Sequence, residues 1–268
     1  MDHLRRDLAP ISERAWHELD EEAARDLRNF LAARRVVDFS GPHGWAHSVD
    51  NLGRLERVEG PQDGVEAGLR TLQPLVELRT PFSVRRSDLD DIDRGRPDPD
   101  LTAVLEAARK AAAAEDRLVF HGFKAGGIVG MAEASPHPHL EVGDEYSQYP
   151  KVVAQAAALL RNAGVDGPYA MALGTRSYTG VIETTEYGGY PVLEHIRLIL
   201  GGPVVWAPAV DCAVVASLRG GDFELVCGQD FAIGYSAYDG VSVELYLEES
   251  VTFRALQPEA AVSFSYSV

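Results

Sequence analysis

The sequence predicts an α+β fold, and three observations carry that expectation: one unusually long helix, a detached two-stranded arm and a C-terminal part patterned for strands. The helix lies in DPDLTAVLEAARKAAAAEDRLVFHG, between Asp98 and Gly122. Asp98 reads as its N-cap, Pro99 as its first helical position and Gly122 as its stop. Leu101, Val104, Leu105, Ala108, Ala111 and Ala112 recur at helical spacing, while Glu106, Arg109, Lys110 and Glu115 take the other side. About 24 residues at about 1.5 Å each give a strut of about 36 Å. Its alanines let other backbones approach closely, so the remaining elements are expected to gather on it.

The arm is read from Ser48 to Arg79. Two strand-like stretches, Asn51 to Val58 and Gln73 to Val84, flank a polar excursion, EGPQDGVEAGLRT. A two-stranded ribbon is marginal in water, so the arm is expected to lie on another subunit or another part of the chain. The C-terminal part supplies the third observation: Val241, Val243, Leu245 and Leu247 alternate, with turn signals at GGD and YDG.

From the start of the chain, Ser12 caps a helix expected to run to about Arg34, with Trp16 and Phe30 at the two ends of its apolar stripe. Two readings of that stripe stand: it docks on its own domain, or it is a docking surface. Val36 to Phe39 reads as a short strand, followed by a turn at SGPHGW. SDLDDIDRG reads as a short helix whose carboxylates, Asp88, Asp90, Asp91 and Asp93, form a solvated face rather than a metal site. Pro150 opens a helix through Leu160 that can lie along the strut, and a second compact region begins at Pro168. There, strands are expected near Tyr169, Val204 and Val214, and helices near Ser177 and Pro191.

At 268 residues and 46% hydrophobic content the chain can bury a substantial core. A formal net charge of -16 argues against wrapping nucleic acid, which calls for clustered positive charge. No apolar run reaches the length of a membrane span and the first residues lack a signal-peptide core, so a cytoplasmic protein is expected, with no membrane partner. Cys212 and Cys227 read as buried reduced thiols. No catalytic motif is present: no Gly-x-Ser-x-Gly elbow, no His-Glu-x-x-His pair and no phosphate loop with its lysine. The glycines of AGGIVGMAEA follow a helix and not a strand, so they do not read as a dinucleotide loop, and His137 and His139 lack a third ligand. A building block is expected, not an enzyme, with no catalytic residue, metal or cofactor.

Five stretches then carry a resemblance: RDLAPIS from Arg6, AARRVVDFSGPHGW from Ala32, AEDRLVFHG from Ala114, AGVDGPYA from Ala163 and RGGDFELVCGQDFAIGY from Arg219. In this order, over nearly the whole chain, they resemble a family 1 encapsulin shell protein. The resemblance implies the fold of tailed-phage (Hong Kong 97-like) major capsid proteins. On that pattern residues 1–47 hold the N-terminal helix and the first part of a peripheral domain, and 48–79 the extended loop. Residues 80–167 hold the rest of the peripheral domain with its spine helix, 168–208 the bulk of an axial domain, and 209–268 a β-rich return through the axial to the peripheral domain.

The resemblance further implies a shell closed with icosahedral symmetry from about sixty copies in its smallest form. Its expected cargo is a dye-decolorising peroxidase or a ferritin-like iron-oxidising protein carrying a C-terminal targeting peptide. Position by position, Leu27, Phe30, Leu31, Arg34, Asp38, Asp230, Phe231 and Ile233 match the family's peptide groove, although Phe231 and Ile233 also suit a core. Glu183, Thr184, Thr185, Glu186, Tyr187, Gly188, Gly189 and Tyr190 match the loop that lines the five-fold pore. There Glu183 and Glu186 would form carboxylate rings, or else point away into solvent. The arm has no lysine for covalent cross-linking, and Ser87 offers no ring on which a flavin could stack, so neither is expected. A DNA-packaging viral or prophage capsid shares the implied fold but suits the negative charge poorly, and no residue constellation supports a hydrolase or bacteriocin-like activity.

Overall fold

The long helix forms, but it starts later than its punctuation suggested. In a computed structural model, which describes residues 3–186 and 188–267, α3 spans Thr102–His121. The carboxylate of Asp100 accepts the Thr102 N–H at 3.2 Å and so starts the first turn, leaving Asp98 outside, paired with Arg96. Gly122 ends α3 at φ +83°, where a Cβ would meet the Gly130 nitrogen at 2.6 Å. Glu115 does not share the exposed side with Glu106 and Arg109: it is fully buried. The C-terminal half of α3 is covered on more than one side, so a two-faced helical pattern fails there.

Preceding it, α1 (Glu13–Phe30) begins where Ser12 Oγ accepts the Ala15 N–H at 3.1 Å. It stops at Phe30, short of Arg34. The Asp116 carboxylate takes the Ala32 and Ala33 N–H groups at 3.2 and 2.8 Å and draws the backbone into a 3-10 turn over Ala33–Arg35. Trp16, Leu19, Ala23 and Leu27 are buried against α3, so most of the apolar stripe docks on its own domain. The acidic helix α2 (Arg86–Arg94) forms as expected, with Leu89 and Ile92 buried, but its carboxylates do not all share a solvated face, since Asp88 is buried beside Arg85. Asp88 pairs with Arg85, Asp90 with Arg86, and Asp91 with Arg94 and Arg96.

The first sheet has the order β1-β9-β11-β10, with β4 also paired to β11. Its strands are β1 (Asp38–Ser40), β4 (Val76–Arg85), β9 (Phe223–Cys227), β10 (Ala232–Tyr238) and β11 (Ser242–Ala255). β11 is its axis, pairing β4 along Ser242 to Val251 and β9 from Val251 to Ala255. Val243, Leu245 and Leu247 enter the core with α1 and α3, as their alternation predicted, whereas Val241 sits exposed in the preceding turn.

The arm is the pair β2 (Val49–Val58) and β3 (Ala67–Pro74), which forms a two-stranded sheet by itself. Here the sequence reading needs correction. The return strand is Ala67–Pro74, most of it taken as polar excursion, and the stretch read as Gln73 to Val84 divides at Leu75, after which the chain joins the main sheet as β4. Exposed alternation hid β3, because neither of its faces is covered within the chain. Leu55, Leu69 and Leu72 are 70%, 60% and 51% exposed.

A second sheet, in the order β5-β12-β8-β6-β7, comprises β5 (Leu140–Val142), β6 (Tyr169–Leu173), β7 (Val204–Trp206), β8 (Ala213–Ser217) and β12 (Ala261–Tyr266). With it lie α5 (Tyr149–Asn162), α6 (Thr175–Glu183) and α7 (Val192–Leu200), while the single turn α4 (Met131–Ala134) follows α3. The strands and helices expected after Pro168 are all present. The helix opened by Pro150 packs chiefly on α7 and this sheet and not along the strut, because Val153, Ala156 and Leu160 belong to the same core as β6 and β8. Among the described residues no helix is long and apolar enough to cross a membrane.

Candidate functional site

Arg34 is held by its backbone from below and by its charge from three sides. The Asp116 carboxylate fixes the turn that carries it. Its Nε donates to both Glu115 oxygens at 3.0 and 2.9 Å, and its Nη2 to Glu115 at 2.5 Å, to Asp230 at 2.9 Å and to Glu249 at 3.5 Å. The rings of Phe39 and Phe231 flank the guanidinium at 4.6 and 5.3 Å. Burial acts to lower the Arg34 pKa, but the hydrogen bonds and charges of Glu115 and Asp230 outweigh it, so the group stays cationic.

Of the eight groove residues expected from sequence, the structure brings most together. Leu27, Leu31 and Ile233 are buried and form the floor between α1 and the first sheet. Phe231 packs half-buried on the same core, and Asp230, whose side chain is 40% exposed, accepts from Arg34 and from the Phe231 N–H. Phe30 also packs half-buried on this core and at the same time meets Trp206, with ring centroids 5.2 Å apart. Asp38 faces elsewhere and accepts the Gly221 N–H at 2.6 Å beside a cavity of about 90 Å³. Trp206, Asn29, Tyr178 and Ile182 help to line an open cleft of about 1000 Å³ between the end of α1 and the second sheet.

Sequence reasoning missed Glu115, Glu249 and Phe39. Glu249 had a visible signal, since it stands at a position where the alternation of Val243, Leu245, Leu247, Val251 and Phe253 calls for an apolar residue; it and the adjacent Glu248 are fully buried. Burial pushes the Glu115 and Glu249 pKa values above the ordinary carboxylate range, Arg34 pulling both back and the Glu115 charge adding to the rise at Glu249.

The second expected site is the turn between α6 and α7. The Glu186 N–H reaches the Tyr190 carbonyl at 2.8 Å and the Gly189 N–H reaches the Glu186 carbonyl at 2.9 Å, while Thr184 Oγ1 donates to the Gly180 carbonyl. Thr185 bridges to Pro191, Gly188, Gly189 and Tyr190 are exposed, and Tyr187 lies outside the described residues. Glu183 is exposed at the end of α6, whereas Glu186 is folded onto His195 Nδ1 at 2.9 Å. Cys212 and Cys227 are buried, which pushes their thiols up to about 11 and about 12. Among the described residues no group of three or more His, Cys, Asp or Glu is placed to hold a metal ion.

Residues 1–252 match a family model described as an encapsulating protein for peroxidase. A type 1 encapsulin shell protein of Rhodospirillum rubrum is 53% identical over 268 residues, covering 98% of this chain and 96% of the relative. Another, from Mycobacterium tuberculosis, is 46% identical over 99% of this chain and 100% of its own length. Among solved structures, a virus-like particle from Pyrococcus furiosus aligns with a TM-score of 0.70 at 16% identity, covering 93% of this chain and 99% of that one. The capsid of an empty GTA particle aligns at 0.52 and 13% identity, covering 89% and 90%. At such identities the structural likeness establishes the fold, that of phage major capsid proteins.

Proposed function

This chain belongs to the family of encapsulating shell proteins, and from that premise we propose that its copies close into a hollow compartment around a cargo protein. It is a structural subunit, not an enzyme. The observation that carries this reading is the arm. Its apolar side chains Leu55, Leu69 and Leu72 stand in solvent on a ribbon that is marginal alone, and a neighbouring copy is the surface that relieves both. Icosahedral closure gives about sixty copies in the smallest shell. The second sheet with α5, α6 and α7 serves as the axial domain, which draws β5 and α5 out of the 80–167 stretch assigned above to the peripheral domain; the first sheet with α1, α2 and α3 serves as the peripheral domain, and 48–79 as the extended loop.

The cargo peptide lies as an extended segment on Leu27, Leu31, Phe231 and Ile233, with Arg34 and Asp230 fixing it by polar contacts and Phe30 and Asp38 at the margins. Arg34 Nη1 suits this task, because it makes no hydrogen bond among the described residues while Nε and Nη2 are committed. A peroxidase cargo fits the family's description, and the reading extends to a ferritin-like alternative and to a compartment in the cytoplasm. Around the five-fold axis the turn from Glu183 to Tyr190 lines a pore, with Glu183 supplying the freer carboxylate for small cations.

Replacing Phe231 tests the groove. Leu31 is less suitable because it is part of the core, whereas Phe231 is half-buried. Phe231→Asp is expected to form full-sized shells that no longer capture a reporter bearing a peroxidase C-terminal tail. Loading equal to that of the unmodified shell would refute the placement.

A further inference from the structure

The ground under Arg34 holds more acid than one arginine can balance. Among the described residues Arg34 is the one cation within ion-pair reach of Glu115, Asp230 and Glu249. Glu115 on α3 and Glu249 on β11 have no exposed surface and approach the same Arg34 nitrogen, at 2.5 and 3.5 Å. One Glu249 oxygen is sealed from solvent without a partner. Among the described residues, the other ionisable groups beside the pair are engaged elsewhere or uncharged. Asp116 is spent on the Ala32 and Ala33 N–H groups, Glu248 faces Arg79 on the opposite side of β11, and Cys227 on β9 is a thiol whose ionisation burial disfavours.

Fully ionised, this set would place two carboxylates around one guanidinium nitrogen, away from water, with a third beside them. Like charges so placed cannot both persist there, and a proton between them is the ordinary resolution. We propose that Glu115 and Glu249 share one proton at neutral pH and that the half-neutralised pair positions Arg34, keeping Nη1 turned into the groove so that alkaline loss of the proton releases cargo. The carboxylate of Glu115 then serves as the two-pronged partner of Nε and Nη2, and the protonated Glu249 needs no cation of its own. When that proton leaves, Glu249 competes for the guanidinium donors. Nη1 is then drawn inward, away from any acceptor oxygen of a bound peptide.

The release half of this proposal rests on the peptide placement above; the shared proton does not, and two readouts separate them. Infrared titration of empty assembled shells in deuterated buffer reads the proton directly, with Asp116→Asn as the background that removes a further buried acid whose pKa burial raises to about 7. A protonated-carboxyl band is expected at neutral pH, fading in alkali and missing from Glu249→Gln. Its absence from the unmodified shell at neutral pH would overturn the shared proton, with no variant needed.

The second readout is loading of a fluorescent protein carrying a dye-decolorising peroxidase tail. Loading should fall over the pH range in which the band fades and stay level in Glu249→Gln. Equal pH profiles in the two shells would overturn the positioning role. A normal band with no loading at any pH would instead overturn the peptide placement and the release step together, leaving the proton in place.

Discussion

The arm and the ground beneath Arg34 are opposite placements of side chains. On β2 and β3, apolar groups stand in water; on α3 and β11, carboxyl groups are shut away from it. Each is unfavourable in isolation, but the remedies differ. On the proposed assembly the arm finds its surface on another copy, whereas Glu115 and Glu249 are answered inside the chain, by Arg34 together with the proposed shared proton. Assembly and site are therefore separable: damage to the arm should spare the fold, and damage to the acids should weaken the fold before it touches closure.

The largest effect that can break this comparison is on closure. Leu55→Asp combined with Leu69→Asp is expected to abolish particles, leaving small species in sedimentation velocity with an unchanged circular dichroism spectrum. Full-sized particles from that variant would remove the arm from the assembly surface. In the same dispersed background, Glu115→Ala should cost about 3–5 kcal/mol in denaturant unfolding, because it strips a buried cation of its main partner. A loss below about 1 kcal/mol would mean that the cluster relaxes freely.

A pH scan sharpens the contrast further. Burial pushes the Asp116 pKa up to about 7, against two backbone N–H groups that pull it down, so the native state binds this proton more tightly than the unfolded chain. The resulting stability is complete below the ordinary carboxylate range and disappears as pH climbs towards about 7. It amounts to about 2–4 kcal/mol. Asp116→Asn should flatten that slope in thermal unfolding, whereas arm variants should leave it intact; an unchanged slope in Asp116→Asn would assign it elsewhere.

The smallest effect belongs to the turn after α6, which shows both habits, with Glu183 left in solvent and Glu186 folded onto His195. Glu183→Gln is expected to slow Tb³⁺ influx into intact shells more than Glu186→Gln does. The reverse order would place Glu186 on the ion path.

How much of this was legible in the sequence follows the same division. Local signals were read well: Ser12 at the start of α1, Gly122 at the end of α3, the short helix α2 with Leu89 and Ile92 turned inward, and the strands near Tyr169, Val204 and Val214. Leu27, Leu31, Arg34, Asp230, Phe231 and Ile233 were named through a family resemblance and gather in space. What escaped was decided by distant residues. Asp116 ends α1 from 83 positions away, and Glu115 is buried because partners from the 3-10 turn and β11 meet over it. β3 escaped for the opposite reason, since a strand with no covered face shows no burial pattern to read.

The central claim is that copies of this chain close on one another into a hollow shell. Negative-stain electron microscopy of the chain expressed alone, at neutral pH, tests it most directly. Uniform hollow particles of a single diameter are the expected result. Monomers and small oligomers persisting across salt and pH would contradict it.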